Sequence, residues 1–127
     1  HSLPALMRAH KIQKRCSAVG FDWTSLGPVL DKVHEELDEV MHEAQQAVVD
    51  EAKLEEEVGD LLFATVNLSR HLGVKAEVAL QKANLKFERR FREVERIVAA
   101  RGLEMTGVDL DTMEQVWQEV KRQETDL

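Results

Sequence analysis

Apolar residues recur at three- and four-residue intervals along almost the whole chain, and no stretch alternates for long enough to make a strand. Apart from Gly59, the glycines and both prolines lie at or between the ends of these periodic runs. That pattern predicts an all-α fold, an antiparallel helical bundle of about five helices. The helices are expected at roughly 3–19, 28–47, 51–72, 75–100 and 112–124. Ser2 and Gly20 would bound the first, and Pro28 falls in the first turn of the second, where proline is tolerated. Asp50 would cap the third and Gly73 end it, while the fourth would end near Gly102. Asp111, with Glu114 three residues later, reads as a capping box for the last helix. "FDWTSLG" (21–27) and "LEMTGVDL" (103–110) are left as loops. Connections this short make neighbouring helices antiparallel.

With 127 residues the chain suits a single domain. It begins with His1, so residues 1–127 are expected to be part of a longer chain. Aromatic residues make up 5%, which leaves a core of Leu, Val, Ala and Met. A net charge of −7 argues against binding to a nucleic-acid polymer, which needs a basic face. A small anion is still admissible if metal ions screen the acids. One cysteine, Cys16, excludes an internal disulfide and suits a reducing cytoplasm; it is assigned to packing. No apolar run is long enough to span a membrane.

"HEELDEV" (34–40) and "EVGDLLF" (57–63) carry the chemistry. On the second helix, with Glu36 at zero, Val40, Val33, Ala44, Leu37, Leu30 and Met41 fill an arc from about 40° to 140°. Glu36 borders it, and Glu39 lies about 60° beyond. On the third, with Glu57 at zero, Leu68, Leu61, Leu54, Leu72, Thr65, Val58 and Leu62 fill about 20° to 140°, and Asp60 lies about 60° beyond Glu57. Two consecutive helices thus hold a matched acid pair at the edge of the apolar face. Packed as an antiparallel hairpin, they bring the four carboxylates together. Acid runs such as Glu55–Glu57 ordinarily line a solvated face, and it is the matched pairing that points elsewhere. Converging carboxylates repel by about 4 kcal/mol per close pair at ~4 Å and therefore need protons or a cation. Oxygen donors without paired His or Cys favour Mg²⁺, with Mn²⁺ as a substitute. Gly59 would be retained for close approach of a neighbouring backbone, since Gly costs a helix roughly 1 kcal/mol relative to Ala.

"QKANLKFERRFREVERIV" (81–98) places Lys86 and Arg90 four apart on one flank of the fourth helix, and Lys53 shares the strip of Glu57 and Asp60. Such groups can take phosphate oxygens. Exposed ion pairs such as Lys86–Glu93 or Arg89–Glu93 are the ordinary alternative. Trp117 and Trp23 are candidates for stacking on a base or for filling the core. His10, His34, His42 and His71 show no ligand spacing. Phe63 and Val66 lie opposite Glu57, outside the main apolar arc, and predict a homodimer.

"EELDE" (35–39), seventeen intervening residues and "EVGD" (57–60) resemble the EExxE…ExxD signature of the MazG-type all-α nucleoside triphosphate pyrophosphohydrolases. The likeness extends through "GFDW" (20–23), "EEEVGDLLFATVNLSRHLG" (55–73) and "KFERRF" (86–91), and is closest to the C-terminal of the two tandem domains of the MazG type. The resemblance implies Mg²⁺-dependent cleavage of (d)NTPs to the monophosphate and pyrophosphate, with broad base tolerance. It also implies a homodimer, a cytoplasmic setting and a part in nucleotide-pool control under nutritional stress. In the family the signature acids bind metal, which maps to Glu36, Glu39, Glu57 and Asp60. Catalysis is expected from these four and Glu35. Nucleotide contacts are expected from Lys32, Glu35, Glu36, Lys53, Glu56, Asp60, Lys86, Arg90 and Trp117. Glu35 or Glu56 would accept the proton of the attacking water; the residues do not choose between them. Two rivals are a non-catalytic helical dimerisation module and a di-iron carboxylate bundle, for which Glu39–His42 supplies one Glu-x-x-His and no second exists.

Overall fold

The computed structural model describes residues 3–125. They form five α-helices, α1 (Ala5–Ala18), α2 (Leu26–Ala44), α3 (Glu51–His71), α4 (Ala76–Ala100) and α5 (Leu110–Thr125), with a 3-10 turn at Met105–Gly107. There is no strand among the described residues. The fold class is all-α, and the helices lie close to where the apolar periodicity puts them.

The helix ends follow from local chemistry. Pro4 precedes α1 and its carbonyl accepts from the Arg8 amide at 2.9 Å. Ser2 lies outside the described residues. Asp50 caps α3, accepting from the Lys53 amide at 3.2 Å. After α3 the chain reverses through Gly73 at φ 75°, and the Val74 amide reaches back to the Ser69 carbonyl at 2.8 Å. After α4, Gly102 at φ 74° does the same, with Leu103 returning to Val98. A side chain in that left-handed region is strained, so glycine belongs at both turns. The capping box expected at Asp111 is corrected. α5 begins a turn earlier, and Asp109 Oδ1 accepts from the Thr112 amide at 2.8 Å. Asp109 stands immediately ahead of the helix, which begins at Leu110 and not at 112, and its carboxylate is the one that meets the amide.

The chain divides into two compact units, the first ending at Ala79 and the second beginning at Leu80. In the first, α3 packs against both α2 and α1. Asp22, just before α2, meets Arg70 near the end of α3, while Glu36 in mid-α2 meets Glu57 and Asp60. The hairpin is therefore antiparallel. Gln13 of α1 is buried and donates to the Phe63 carbonyl at 2.9 Å. In the second unit, Val94, Ile97 and Val98 of α4 close a core with Val116 and Val120 of α5, against which Met105, Val108 and Trp117 pack. Arg90–Glu124 at 2.9 Å and Arg101–Glu119 at 2.8 Å tie the same elements together and fix their antiparallel sense.

Three expectations about packing are revised. On α2 the buried stripe is Val29, Glu36 and Glu43, at i, i+7 and i+14, whereas Leu30, Leu37 and Met41 are 39–45% exposed. The apolar arc is thus turned partly away from the hairpin contact. Val66 does not lie outside the packed interior, because α1 covers part of α3 and Val66 is 2% exposed; Phe63 remains 44% exposed. No backbone approaches Gly59, and a Cβ added there would meet nothing within 4 Å. Exposure of one edge of the hairpin accounts for it.

Candidate active site

On α2 a heptad step brings Glu36 onto the buried stripe, between Val29 one step before it and Glu43 one step after. On α3 the steps from Glu57 to Asp60, Ala64 and Asn67 describe one stripe facing it. The antiparallel hairpin sets these stripes together. One carboxylate oxygen from each of Glu36, Glu57 and Asp60 lies within 4.8 Å of the other two. Glu36 is buried, Glu57 half-buried and Asp60 exposed.

Three like charges so close raise the cost of ionisation. Burial pushes the Glu57 carboxyl above the usual carboxylate range, and the charges of Glu39, Asp60, Glu36 and Glu56 push it further. Glu39 stands outside the trio yet acts on Glu57 more strongly than either other member. Lys32 supplies the compensating cation, its Nζ 3.0 Å from Glu36 Oε1 and 3.4 Å from Glu35 Oε1. The hydrogen bond to Glu36 holds the Lys32 ammonium above its ordinary pKa, against the opposing effect of burial. One ammonium facing several carboxylates leaves the cluster short of positive charge. The donors are all hard oxygens, graded from buried to open to solvent, and neither His nor Cys joins the trio among the described residues. That donor set fits a hard divalent cation with positions left for water and phosphate oxygens.

Beside the trio lies a cavity of about 300 Å³ lined by Trp23, Lys32, Glu36, Asp60, Phe63 and Asn67. A second, of about 430 Å³, shares Trp23, Phe63 and Asn67 and is walled by Gln13, Cys16, Phe21, Asp22 and Arg70. The wall is braced by an ion-pair network. Arg70 Nη2 donates to Asp22 Oδ2 at 2.7 Å and to Asn67 Oδ1 at 2.8 Å, and His71 Nε2 lies 2.9 Å from Asp22 Oδ1. Burial alone would raise the Asp22 carboxyl, but hydrogen bonds from Arg70, His71, Ser17 and the Trp23 amide outweigh it and hold the carboxyl well below the usual range. Phe63, Asn67 and the Asp22–Arg70–His71 network were not among the residues singled out from the sequence for chemistry. Their only sequence signal is that they fall inside "GFDW" (20–23) and "EEEVGDLLFATVNLSRHLG" (55–73).

The remaining candidates are placed as follows. Glu35 and Glu56 are exposed beside the trio's own helices, and so is Lys53, whose amide is taken by the Asp50 cap. Lys86, Arg90 and Trp117 belong to the second unit. There Arg90 pairs with Glu124, and its guanidinium stands 6.0 Å from the centre of the Trp117 ring. Trp117 lies 5.1 Å from Phe87 and against the valine core. The surface pairs expected at Glu93 are corrected: Glu93 pairs with Arg96, and Arg89 approaches Glu124 at 3.9 Å. His42 lies 3.3 Å from Gln46 and takes no part in the trio.

Comparison with known proteins covers the same stretch of chain. The chain is 85% identical over 126 residues to the nucleoside triphosphate pyrophosphohydrolase of Escherichia coli strain K12, covering 99% of this chain and 48% of that protein. It is 43% identical over 119 residues to the nucleoside triphosphate pyrophosphohydrolase/pyrophosphatase MazG of Thermotoga maritima, covering 94% of this chain and 45% of that one. The chain therefore spans about half the length of these relatives. The family profile described as the MazG nucleotide pyrophosphohydrolase domain matches residues 26–95, which take in both acid pairs. The chain belongs to the MazG nucleotide pyrophosphohydrolase domain family.

Proposed function

We propose that the chain hydrolyses nucleoside and deoxynucleoside triphosphates to the monophosphate and pyrophosphate, with Mg²⁺ as the cofactor and Mn²⁺ as a substitute. The observation that carries this reading is the convergence of Glu36, Glu57 and Asp60 within 4.8 Å beside a cavity lined by Lys32 and Trp23. The names of the relatives point the same way.

Glu36, Glu57 and Asp60 hold the metal, with Glu39 completing the negative field around Glu57. When bound, the ion neutralises phosphate charge and lowers the pKa of a coordinated water. Lys32 fixes Glu36 and Glu35 in orientation through its two contacts. The exposed carboxylates of Glu35 and Glu56 can each take the proton from an attacking water. Lys53 supplies further positive charge for phosphate oxygens, so recognition falls on groups common to all nucleotides. The reading extends to broad base tolerance and, through the family resemblance, to a role in nucleotide-pool control under nutritional stress.

The active form is a homodimer in the cytoplasm. Leu30, Leu37, Met41, Leu62 and Phe63 remain 39–53% exposed on the hairpin, an apolar surface suited to a second copy. No helix among the described residues is long and apolar enough to cross a membrane. The placement of His42 outside the trio speaks against the di-iron alternative, which needs histidine at the metal. Pyrophosphate release from mixed dNTPs, measured with and without Mg²⁺, tests the proposal. Metal-dependent release is expected; phosphate as the only product, or no turnover with either metal, would refute it.

A further inference from the structure

Away from the acids, the first unit holds a cavity of about 440 Å³ where α1 meets the turn after α3. Its charged lining is entirely basic: His10 and Lys14 of α1, Arg70 of α3, and Lys75 of the turn. No Asp or Glu lines it among the described residues. On a chain of net charge −7, that concentration of cations is not expected from composition.

Two polar atoms there are unmet. His10 Nδ1 and Arg70 Nε are both buried without a hydrogen-bond partner. Buried nitrogens are ordinarily satisfied, so two unmet ones on residues of the same cavity wall leave donor capacity there unused. Arg70 spends its Nη2 on Asp22 and Asn67, so its Nε is left over from the brace already described. Lys14 and Lys75 are exposed at the mouth.

We infer that this cavity binds a phosphate-bearing anion, with room for a diphosphate, between Lys14, Lys75, Arg70 and His10. Lysine and arginine give charge-assisted contacts to phosphate oxygens, and a protonated imidazole adds a further N–H donor. Burial disfavours the imidazolium, and Lys14, Arg70 and Lys75 add to that effect, so His10 is held below its ordinary pKa. Asp22 and His71 face Arg70 from the other side and do not line the cavity. An anion reverses the balance at His10, so binding takes up a proton. This site shares no residue with the carboxylate trio and does not rest on the proposed catalysis.

The test follows the His10 ring resonances of the 127-residue chain by NMR, with EDTA present, assigned through His10→Gln. Inorganic phosphate, pyrophosphate and a non-hydrolysable α,β-methylene nucleoside triphosphate are titrated separately. A ligand at the site should raise the His10 pKa by about one unit. Lys14→Gln and Lys75→Gln, both exposed and outside the catalytic set, should each weaken binding by about tenfold. The tightest of the three probes identifies the natural source as a single phosphate, a diphosphate or a nucleotide tail. No movement of His10 with any probe at millimolar concentration, or unchanged affinity in both lysine variants, overturns the inference.

Discussion

The two units bury opposite kinds of residue. The second closes on Val94, Ile97, Val98, Val116 and Val120, an interior with no charge in it. The first buries Gln13, Glu36, Glu43 and Asn67 alongside Val29, Ala64 and Val66, and leaves leucines at the surface. A valine core holds a pair of helices together at no electrostatic cost. A hairpin that turns glutamates inward gives up that stability and gains a charge field that can hold a cation. The difference sets a cohesive valine interior in one unit against a field of buried charge in the other.

The sharpest way to probe this is Glu57→Gln. Removing one carboxylate from the trio should lower turnover at least about a hundredfold, on the scale of damage to a metal site. The same change should raise the melting temperature of the metal-free chain, because it relieves repulsion. A fall in melting temperature at normal turnover would erase the contrast between the units. Next in size is Asp22→Asn, which strands Arg70. Breaking a buried ion pair costs about 3 kcal/mol, so a lower denaturation midpoint is expected. The pH sense is fixed by the direction of the shift. Asp22 is more acidic in the folded chain, so its contribution is complete above the ordinary value of about 3.9 and is lost as pH falls toward the depressed one. Acid denaturation profiles of parent and variant should converge at low pH and separate as pH rises; parallel profiles would show that Asp22 is not the group responsible.

Val98→Ala probes the other unit. It opens a cavity in the valine core and should cost about 2 kcal/mol while leaving kcat/KM for dNTPs within about twofold. Comparable losses of rate and stability would mean that the two units do not divide these tasks. The smallest effect is expected at Gly59. With open space around its Cβ position, Gly59→Ala should stabilise the isolated chain by about 1 kcal/mol, read from urea midpoints. Destabilisation that grows with protein concentration would instead place a second copy's backbone against that residue.

The sequence made the helices readable because turn residues punctuate them. Asp50 and the glycines at 20, 73 and 102 stand where the periodic runs stop. It misled on which side of α2 faces inward. Reading an apolar arc as the buried face assumes that burial follows hydrophobicity, and here the buried stripe carries Glu36 and Glu43. The convergence of Glu36, Glu57 and Asp60 was accessible from matched spacing on two helices, because helical geometry fixes angle as well as distance along the axis. The basic cavity at His10 and the bracing by Asp22, Arg70 and His71 were not, since each joins residues about fifty or more positions apart on different elements. No periodicity within one helix encodes such a meeting. Val66 failed for a related reason: its burial depends on α1, whose position against α3 no local pattern states.

Lys32 has a consequence for how the hairpin can live without its metal. Its ammonium sits 3.0 Å from Glu36, already occupying part of the electrostatic role that a divalent ion would fill. Unlike a free ion, it is tethered, so its local concentration does not fall when the surrounding solution is depleted. The repulsion within the trio is thereby lessened, not abolished, because one buried carboxylate has an answering charge. The same tether is a resident competitor, so an incoming ion must offer Glu36 more than an ammonium does. Monovalent ions, with the same single charge and no covalent link, begin at a disadvantage. At the proposed metal site the lysine would thus set a threshold that favours ions of high charge density.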